Sequence, residues 1–136
     1  MDISLCNLTP TLSKGEGAYR LQWAGAYNPL WLIRNNALEE IKADKQPIGK
    51  SDDSHPFTNH TFTLNKGDTI YIFSDGFADQ FNAKDKKLMK KNFKEVLLSI
   101  QDKTMQQQHD YLNTYIETWK GSMEQTDDIL VMGVRV

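Results

Sequence analysis

Thr69-Ile70-Tyr71-Ile72-Phe73-Ser74-Asp75-Gly76-Phe77-Ala78-Asp79-Gln80 is the stretch from which the rest of the chain is read. Its first five residues are β-branched or aromatic, the composition of a buried strand. The run stops at Ser74-Asp75-Gly76. A carboxylate at that point is held in place by the sheet behind it, and Gly76 permits a sharp turn and the close approach of a ligand. Such an arrangement presents an anionic oxygen to a hard cation. Asp-Gly is also a common turn pair, so this stretch alone leaves a plain turn open.

A second stretch near the other end of the chain, Gln125-Thr126-Asp127-Asp128, leads into another apolar run from Ile129 to Val136. If the two runs are antiparallel neighbours, Asp75 leaves one strand where Asp127 enters the other, and both carboxylates reach the same sheet edge. Converging carboxylates are costly unless a cation neutralises them, which makes that edge a candidate Mg²⁺ or Mn²⁺ site. A loop simply capped by Asp127-Asp128 is the plainer alternative.

Outward from this centre the pattern is mostly of period two. Asp2 to Leu8 reads as a strand, Thr9 to Gly17 as a turn-rich connection, and Tyr19 to Ala24 as a second strand interrupted by Gly25-Ala26-Tyr27-Asn28-Pro29. Leu30 to Arg34 and Ala37 to Lys42 form a hairpin about Asn35-Asn36, since Asn tolerates positive φ. Asp44 to Pro56 is loop-like, with Pro47-Ile48-Gly49 as an ordered turn, and Phe57 to Leu64 alternates again before the turn at Asn65 to Asp68. After Gln80 the period lengthens. Leu88, Met89, Phe93, Val96, Leu97 and Ile100 fall on one helical face. Thr104 with Gln107 makes a capping box for a second helix, whose inner face is Met105, Gln108, Leu112, Tyr115, Ile116 and Trp119, with a lapse at Gln108. Gly121 is placed to end it. Strands, two helices and a last strand make an α+β pattern, mainly antiparallel sheet with the C-terminal helix pair on one face.

The chain has 136 residues, enough for one domain with a real core. A net charge of −2 argues against non-specific nucleic-acid binding. The single cysteine, Cys6, excludes an internal disulfide framework and a multi-cysteine zinc site, and its apolar setting suggests a buried thiol. No apolar run is long enough to span a bilayer and no signal-peptide pattern is present, so a cytoplasmic location without direct membrane contact is the expectation, including as the soluble domain of a membrane-bound sensor. The other candidate sites are weaker. His55, His60 and His109 are scattered, which suits surface or strand positions better than a zinc cluster. Lys84, Lys86, Lys87, Lys90, Lys91 and Lys94 read as a solvated helix face, with a docking patch for an acidic partner as the alternative. Ser74 lacks a nearby base in the sequence to make it a nucleophile. Trp23 and Trp31 are expected in a core or interface.

Phe73 to Gln80 and Glu124-Gln125-Thr126-Asp127-Asp128-Ile129-Leu130-Val131 resemble the last two metal motifs of the metal-dependent protein serine/threonine phosphatases (PPM), in the bacterial SpoIIE-like branch. Met1 to Cys6, Ala24 to Leu30 and Pro47-Ile48-Gly49 resemble the same branch in the same order, so the likeness runs nearly end to end. The resemblance implies a part of an α-β-β-α sandwich and hydrolysis of phosphoserine or phosphothreonine on a regulatory protein, by in-line attack of water activated by Mn²⁺ or Mg²⁺. It further implies Asp75 and Asp127 as metal ligands, Asp128 as an assisting or further ligand, and Gly76 as the residue of the metal-site turn. Many members carry a Glu where Asp79 or Gln80 falls, so neither residue takes over a role.

The family's first motif, Asp-x-x-Gly-His-Gly, is absent: the only Asp-Gly is at Asp75, and there is no Gly-His-Gly. Residues 1–136 therefore read as a single partial phosphatase domain, its C-terminal portion, whose two-metal site is expected only in the full-length domain. The expected partners are a phosphorylated regulatory protein of the anti-sigma-factor-antagonist kind, an upstream sensor domain and a second copy of the chain, with no nucleic acid. The fragment alone is expected to be inactive, and a non-catalytic dimerisation or regulator-binding module is the alternative.

Overall fold

The computed structural model describes residues 2–11 and 18–136. Met1 and residues 12–17, which belong to the expected turn-rich connection, lie outside the described residues. In chain order the elements are β1 (Ile3–Pro10), β2 (Tyr19–Ala26), β3 (Leu30–Arg34), β4 (Ala37–Ile41), β5 (His60–Leu64), β6 (Thr69–Phe73), α1 (Gly76–Asp79), α2 (Met89–Ser99), α3 (Met105–Lys120) and β7 (Val131–Arg135). The pairings between these strands are antiparallel. They build a sheet ordered β1-β2-β5 and another ordered β4-β3-β6-β7.

β3 and β6 are buried on both faces, which is why their sequences are nearly continuously apolar. Trp31, Ile33, Tyr71 and Phe73 turn towards the helices and pack with Phe77, Phe93, Leu97 and Ile116. Leu30, Leu32 and Ile70 turn the other way and meet Leu21, Trp23 and Leu64 of the smaller sheet. The result is a helix layer, a four-stranded sheet and a three-stranded sheet in that order, the α+β arrangement expected from the sequence. The hairpin forms as read: Asn35 and Asn36 both take positive φ, 50° and 60°, and Arg34 pairs with Ala37. Thr104 and Gln107 form the full capping box, and Gly121 closes α3 at φ 56°.

The lapse at Gln108 is filled rather than solvated. Gln108 is 2% exposed; its Oε1 accepts from the Tyr71 hydroxyl and its Nε2 donates to Ile100 O at 3.0 Å. Tyr71 Oη in turn accepts from Gln101 Nε2, and Arg135 donates to Gln101 O, Lys103 O and Thr69 Oγ1. A polar network of this kind satisfies each buried group and fixes how α3 sits on the sheet.

Two local expectations are corrected. Met89 is exposed, with a left-handed backbone (φ 73°) at the first residue of α2, so the inner face of that helix is Leu88, Phe93, Val96, Leu97 and Ile100. Cys6 is exposed as well, because β1 is an edge strand that the larger sheet does not cover. Residual burial by neighbouring atoms still raises its thiol pKa.

Trp31 and Glu40 give the fold a pH-dependent contribution. Trp31 Nε1 donates to Glu40 Oε1 at 2.9 Å, and this bond, followed by Lys94 and Lys90 against the opposing effect of burial, lowers the Glu40 pKa. A carboxyl whose folded pKa is depressed contributes stability above its unfolded pKa and loses it as pH falls through the folded value. Urea midpoints of the wild type and Glu40→Gln should therefore differ at pH 7. The gap should shrink as pH falls below about 4.3, the value of an unfolded glutamate, and it should close once the folded carboxyl is protonated as well. An equal gap at neutral and at acid pH would show that Glu40 contributes nothing by its charge.

Candidate metal centre

Asp75 leaves β6 and caps α1, with helical backbone angles of φ −68° and ψ −18°. Asp127 and Asp128 stand just before β7, the antiparallel neighbour of β6. The two acidic segments thus arrive at the same end of the same strand pair. Asp2 at the start of β1 approaches from the other sheet. Asp2, Asp75, Asp127 and Asp128 line one cleft of about 570 Å³ between β1 and the β6-β7 pair, with Ile3, Ile72, Leu130 and Met132 on its walls.

Ser74 ties the two segments together. Its hydroxyl donates to Asp128 O at 2.7 Å and accepts from Leu130 N at 2.9 Å, while its own N–H donates to Leu130 O at 2.9 Å. Asp127 Oδ1 accepts from Asp128 N at 2.7 Å, and Gln125 Nε2 donates to Asp127 O at 2.9 Å. Gln80, with no exposed surface, holds the approach to the loop. Its Nε2 donates to Glu124 O at 2.9 Å and to Phe81 O at 3.1 Å, and its Oε1 accepts from Thr126 N at 3.3 Å. Trp119 Nε1 donates to Gln80 O. Neither Ser74 nor Gln80 was assigned a role from the sequence. Their partners are more than forty residues away, and the only local sign was polar residues beside a buried strand.

Gly76 is needed for a different reason from the one expected. Its φ is not positive; instead a Cβ there would lie 2.7 Å from the Asp128 carbonyl carbon and closer still to its oxygen. The glycine lets the backbone of the second acidic segment lie against the first. Gly76→Ala should destabilise the chain by about 1–3 kcal/mol, as overpacking does. It should also displace Asp128, seen as shifts of the Asp127–Leu130 amides in an NMR spectrum. Unchanged stability and spectra would show that the contact is slack.

The electrostatics fit a cation. The Asp75 carboxyl pKa is raised, first by burial, with Lys90 acting in the opposite sense and Asp79, Asp2 and Asp127 adding like charge. Lys90 Nζ stands 3.8 Å from Asp75 Oδ1, and Lys87 Nζ 3.8 Å from Asp79 Oδ1. The basic run is otherwise largely exposed, but it is not one helix face as read from the sequence: only Lys90, Lys91 and Lys94 lie on α2, and Lys84, Lys86 and Lys87 precede it. Among the described residues, no three of His, Cys, Asp or Glu are grouped closely enough to hold a metal ion. An all-oxygen set of one or two carboxylates suits a hard divalent cation that keeps several waters or takes ligands from another segment. His55, His60 and His109 lie away from this cleft: His55 Nδ1 is near Pro56 O, His60 faces Trp23, and His109 pairs with Asp110.

The same arrangement of sheets and helices occurs in phosphatase domains. The PP2C domain of SiaA from Pseudomonas aeruginosa superposes with a TM-score of 0.77 at 23% identity, over 88% of this chain and 50% of that one. The phosphatase domain of the cell-fate determinant SpoIIE from Bacillus subtilis, presoaked with Mn, superposes with a TM-score of 0.60 at 17% identity, over 98% of this chain and 56% of that one. A longer SpoIIE structure, with the PP2C domain and a fragment of the regulatory domain, gives a TM-score of 0.66 at 21% identity over 88% of this chain and 34% of that one. The fold is thus that of PP2C-type phosphatase domains, of which this chain spans about half the length. The sequence signature of the family described as Stage II sporulation protein E (SpoIIE) matches residues 14–136, and the chain belongs to that family. Among curated proteins, none matches. No helix among the described residues is long and apolar enough to cross a membrane.

Proposed function

We propose that the chain is the C-terminal portion of a metal-dependent phosphatase domain that removes phosphate from phosphoserine or phosphothreonine on a regulatory protein in bacterial signalling. The observation that carries this reading is the convergence of Asp75, Asp127 and Asp128 on one cleft, at the end of the β6-β7 pair. Asp75 and Asp127 would hold Mn²⁺ or Mg²⁺, with Asp128 assisting. When bound, such cations lower the pKa of water and stabilise charge on phosphoryl oxygens.

The chain's own residues prepare the site in three ways. Gly76 and Ser74 keep the two acidic segments in contact, so that the carboxylates do not have to be ordered when the cation arrives. Gln80 anchors the loop that carries Asp127. Lys90 partly balances Asp75 while leaving nearly half of its side chain exposed, so it can swing aside or meet an anionic substrate.

The missing Asp-x-x-Gly-His-Gly motif limits the chain by itself. The residues of that motif have no counterpart among residues 1–136, so a two-metal site, and hydrolysis with it, would need a companion segment. The phosphorylated partner would be of the anti-sigma-factor-antagonist kind, and the setting would be cytoplasmic, under the control of a sensor domain.

The test is turnover of an aryl phosphate and of a phosphoserine protein with Mn²⁺, by the 136-residue chain and by a longer polypeptide supplying the first motif. Background activity for the first and metal-dependent turnover for the second are expected. Robust turnover by the 136 residues alone would show that the cleft needs no companion. No turnover by the longer polypeptide would favour a dimerisation or regulator-binding module, the reading that the absent motif also supports.

A further inference from the structure

The segment between β2 and β3, Tyr27-Asn28-Pro29, turns within a very short length of chain. Asn28 N donates to Ala26 O at 2.8 Å, and Tyr27 between them has φ 63°. A three-residue turn with positive φ at its centre is the rare, strained form, and Tyr27 is bulky for that backbone. The turn is also held from outside: Tyr27 N donates to Asp44 O at 2.9 Å, and Asp44 N to Gly25 O at 3.0 Å. Packing of Tyr27 does not account for the strain, because that residue is 47% exposed. What the turn buries is the next residue. Asn28 is 7% exposed and forms part of the wall of the cleft that holds Asp75, Asp127 and Asp128.

Among the described residues, no hydrogen bond reaches the Asn28 carboxamide, and the one polar side-chain atom sealed without a partner is Trp23 Nε1. The amide of Asn28 is therefore open to the cleft and not enclosed in the core. Buried polar groups are nearly always bonded, so one left free in the wall of a cleft is available to a ligand. The rest of that wall offers few donors. Ser74 engages its hydroxyl with Asp128 O and Leu130 N, Ser4 stands partly exposed on the edge strand β1, and the carboxylates only accept. Lys90, beside Asp75, is not part of the wall. Asn28 Nδ2 is thus a buried donor in a cleft otherwise rich in acceptors.

We infer that Asn28 Nδ2 is the donor that holds a phosphoryl oxygen of the substrate in the acidic cleft. This rests on the reading given above under the proposed function. A cation among the carboxylates attracts a phosphoryl group by charge and leaves its rotation free. A neutral donor fixed in the wall sets which oxygen faces the cation. A carboxamide suits this task better than a lysine: it carries two N–H donors and no charge, so it does not compete with the cation for the carboxylates. Burial strengthens its bond to a charged oxygen. Pro29 restricts the backbone of Asn28, and the turn at Tyr27 is fixed by Asp44, so little freedom is lost when the ligand arrives. The rival use of the same side chain is Oδ1 turned to the cation as a neutral ligand.

Two binding measurements separate these uses, made on the 136-residue chain and on the longer polypeptide that supplies the first motif. Inorganic phosphate is titrated by calorimetry with Mg²⁺ in excess, and Mn²⁺ is titrated by the electron paramagnetic resonance signal of the free ion. Asn28→Ala should weaken phosphate binding at least about tenfold, as loss of a hydrogen bond to a charged oxygen does, and change Mn²⁺ affinity by less than about twofold. In the longer polypeptide, the KM for an aryl phosphate should rise by a similar factor, with kcat changed by less than about threefold. Asn28→Asp keeps the size of the side chain and exchanges the donor for a carboxylate, so it should weaken phosphate further than Asn28→Ala. It also reads the donor without opening a cavity, which covers an Ala variant that does not fold. Mn²⁺ affinity lost in Asn28→Ala and restored in Asn28→Asp would overturn the donor assignment and make Oδ1 a cation ligand. Equal phosphate affinity in the wild type and both variants would reduce Asn28 to a residue that fills space. Both of those outcomes leave the phosphatase reading in place. A wild type that takes up no phosphate, in either polypeptide, would overturn that reading and the Asn28 assignment with it.

Discussion

Asp75→Ala, in a polypeptide that completes the phosphatase domain, is expected to lower Mn²⁺-dependent turnover by more than about a hundredfold. That figure is the upper end of what is lost when only a residue behind a metal ligand is removed, and Asp75 is proposed as the ligand itself. Asp127→Ala should do the same. The expected effect on stability has the opposite sense. Asp75 is penalised by burial and by the charges of Asp79, Asp2 and Asp127, with only Lys90 in its favour. Without metal, the Ala variant should therefore melt no lower than the wild type. Added Mn²⁺ should raise the wild-type melting temperature, because a ligand bound only by the native state stabilises it, and should leave the variant unmoved. Asp110→Ala, a change of the same charge at an exposed position of α3, serves as the control and should alter neither property. A variant that melts far lower yet keeps its Mn²⁺ response would assign Asp75 to the fold and not to the cation.

Phe93→Ala should cost about 3–5 kcal/mol, the range for truncating a buried phenylalanine to alanine. Phe93 is fully buried and stands at the centre of an aromatic group: 4.4 Å from Phe77, 5.2 Å from Trp31 and 5.3 Å from Phe73, ring centre to ring centre. Three rings on three different elements leave little freedom to collapse into the space. At about 2–4 °C per kcal/mol for a chain somewhat larger than this one, the melting temperature should fall by on the order of ten degrees. Because Phe77, which stacks on Phe93, is two residues from Asp75, Mn²⁺ affinity should on the proposed reading fall with stability. Lys91→Ala, exposed on the same helix, should change neither. A loss under about 1 kcal/mol in urea would mean that the aromatic group repacks freely.

The parts of the fold legible in the sequence are those with a local cause. The β-branched run of β6, the Asn35-Asn36 hairpin, the capping box at Thr104 and the stop at Gly121 each depend on a few neighbouring residues, and each is found where the chain implied it. The two acidic segments were legible as a pair because strand, carboxylate and turn recur at both ends of the chain. What holds them was not. Gln80 and Ser74 act on backbone atoms in the Glu124–Leu130 segment, and no periodicity connects positions so far apart. Gln108 broke the apolar stripe of α3 because its partner, the Tyr71 hydroxyl, belongs to a strand. Cys6 and Met89 misled because apolar character predicts burial only where something lies opposite to cover it, and an edge strand and the first residue of a helix lack that cover.

The Ser74 hydroxyl takes the place of a peptide carbonyl as acceptor for Leu130 N, and donates its own hydrogen bond to Asp128 O. One side-chain atom thus substitutes for a rung of the ladder at the point where two segments would otherwise separate. Mechanically, this places a pin between the end of β6 and the segment that carries Asp127 and Asp128. A displacement of one acidic segment would therefore be passed to the other through this hydroxyl, so that the two would move as one lever rather than two.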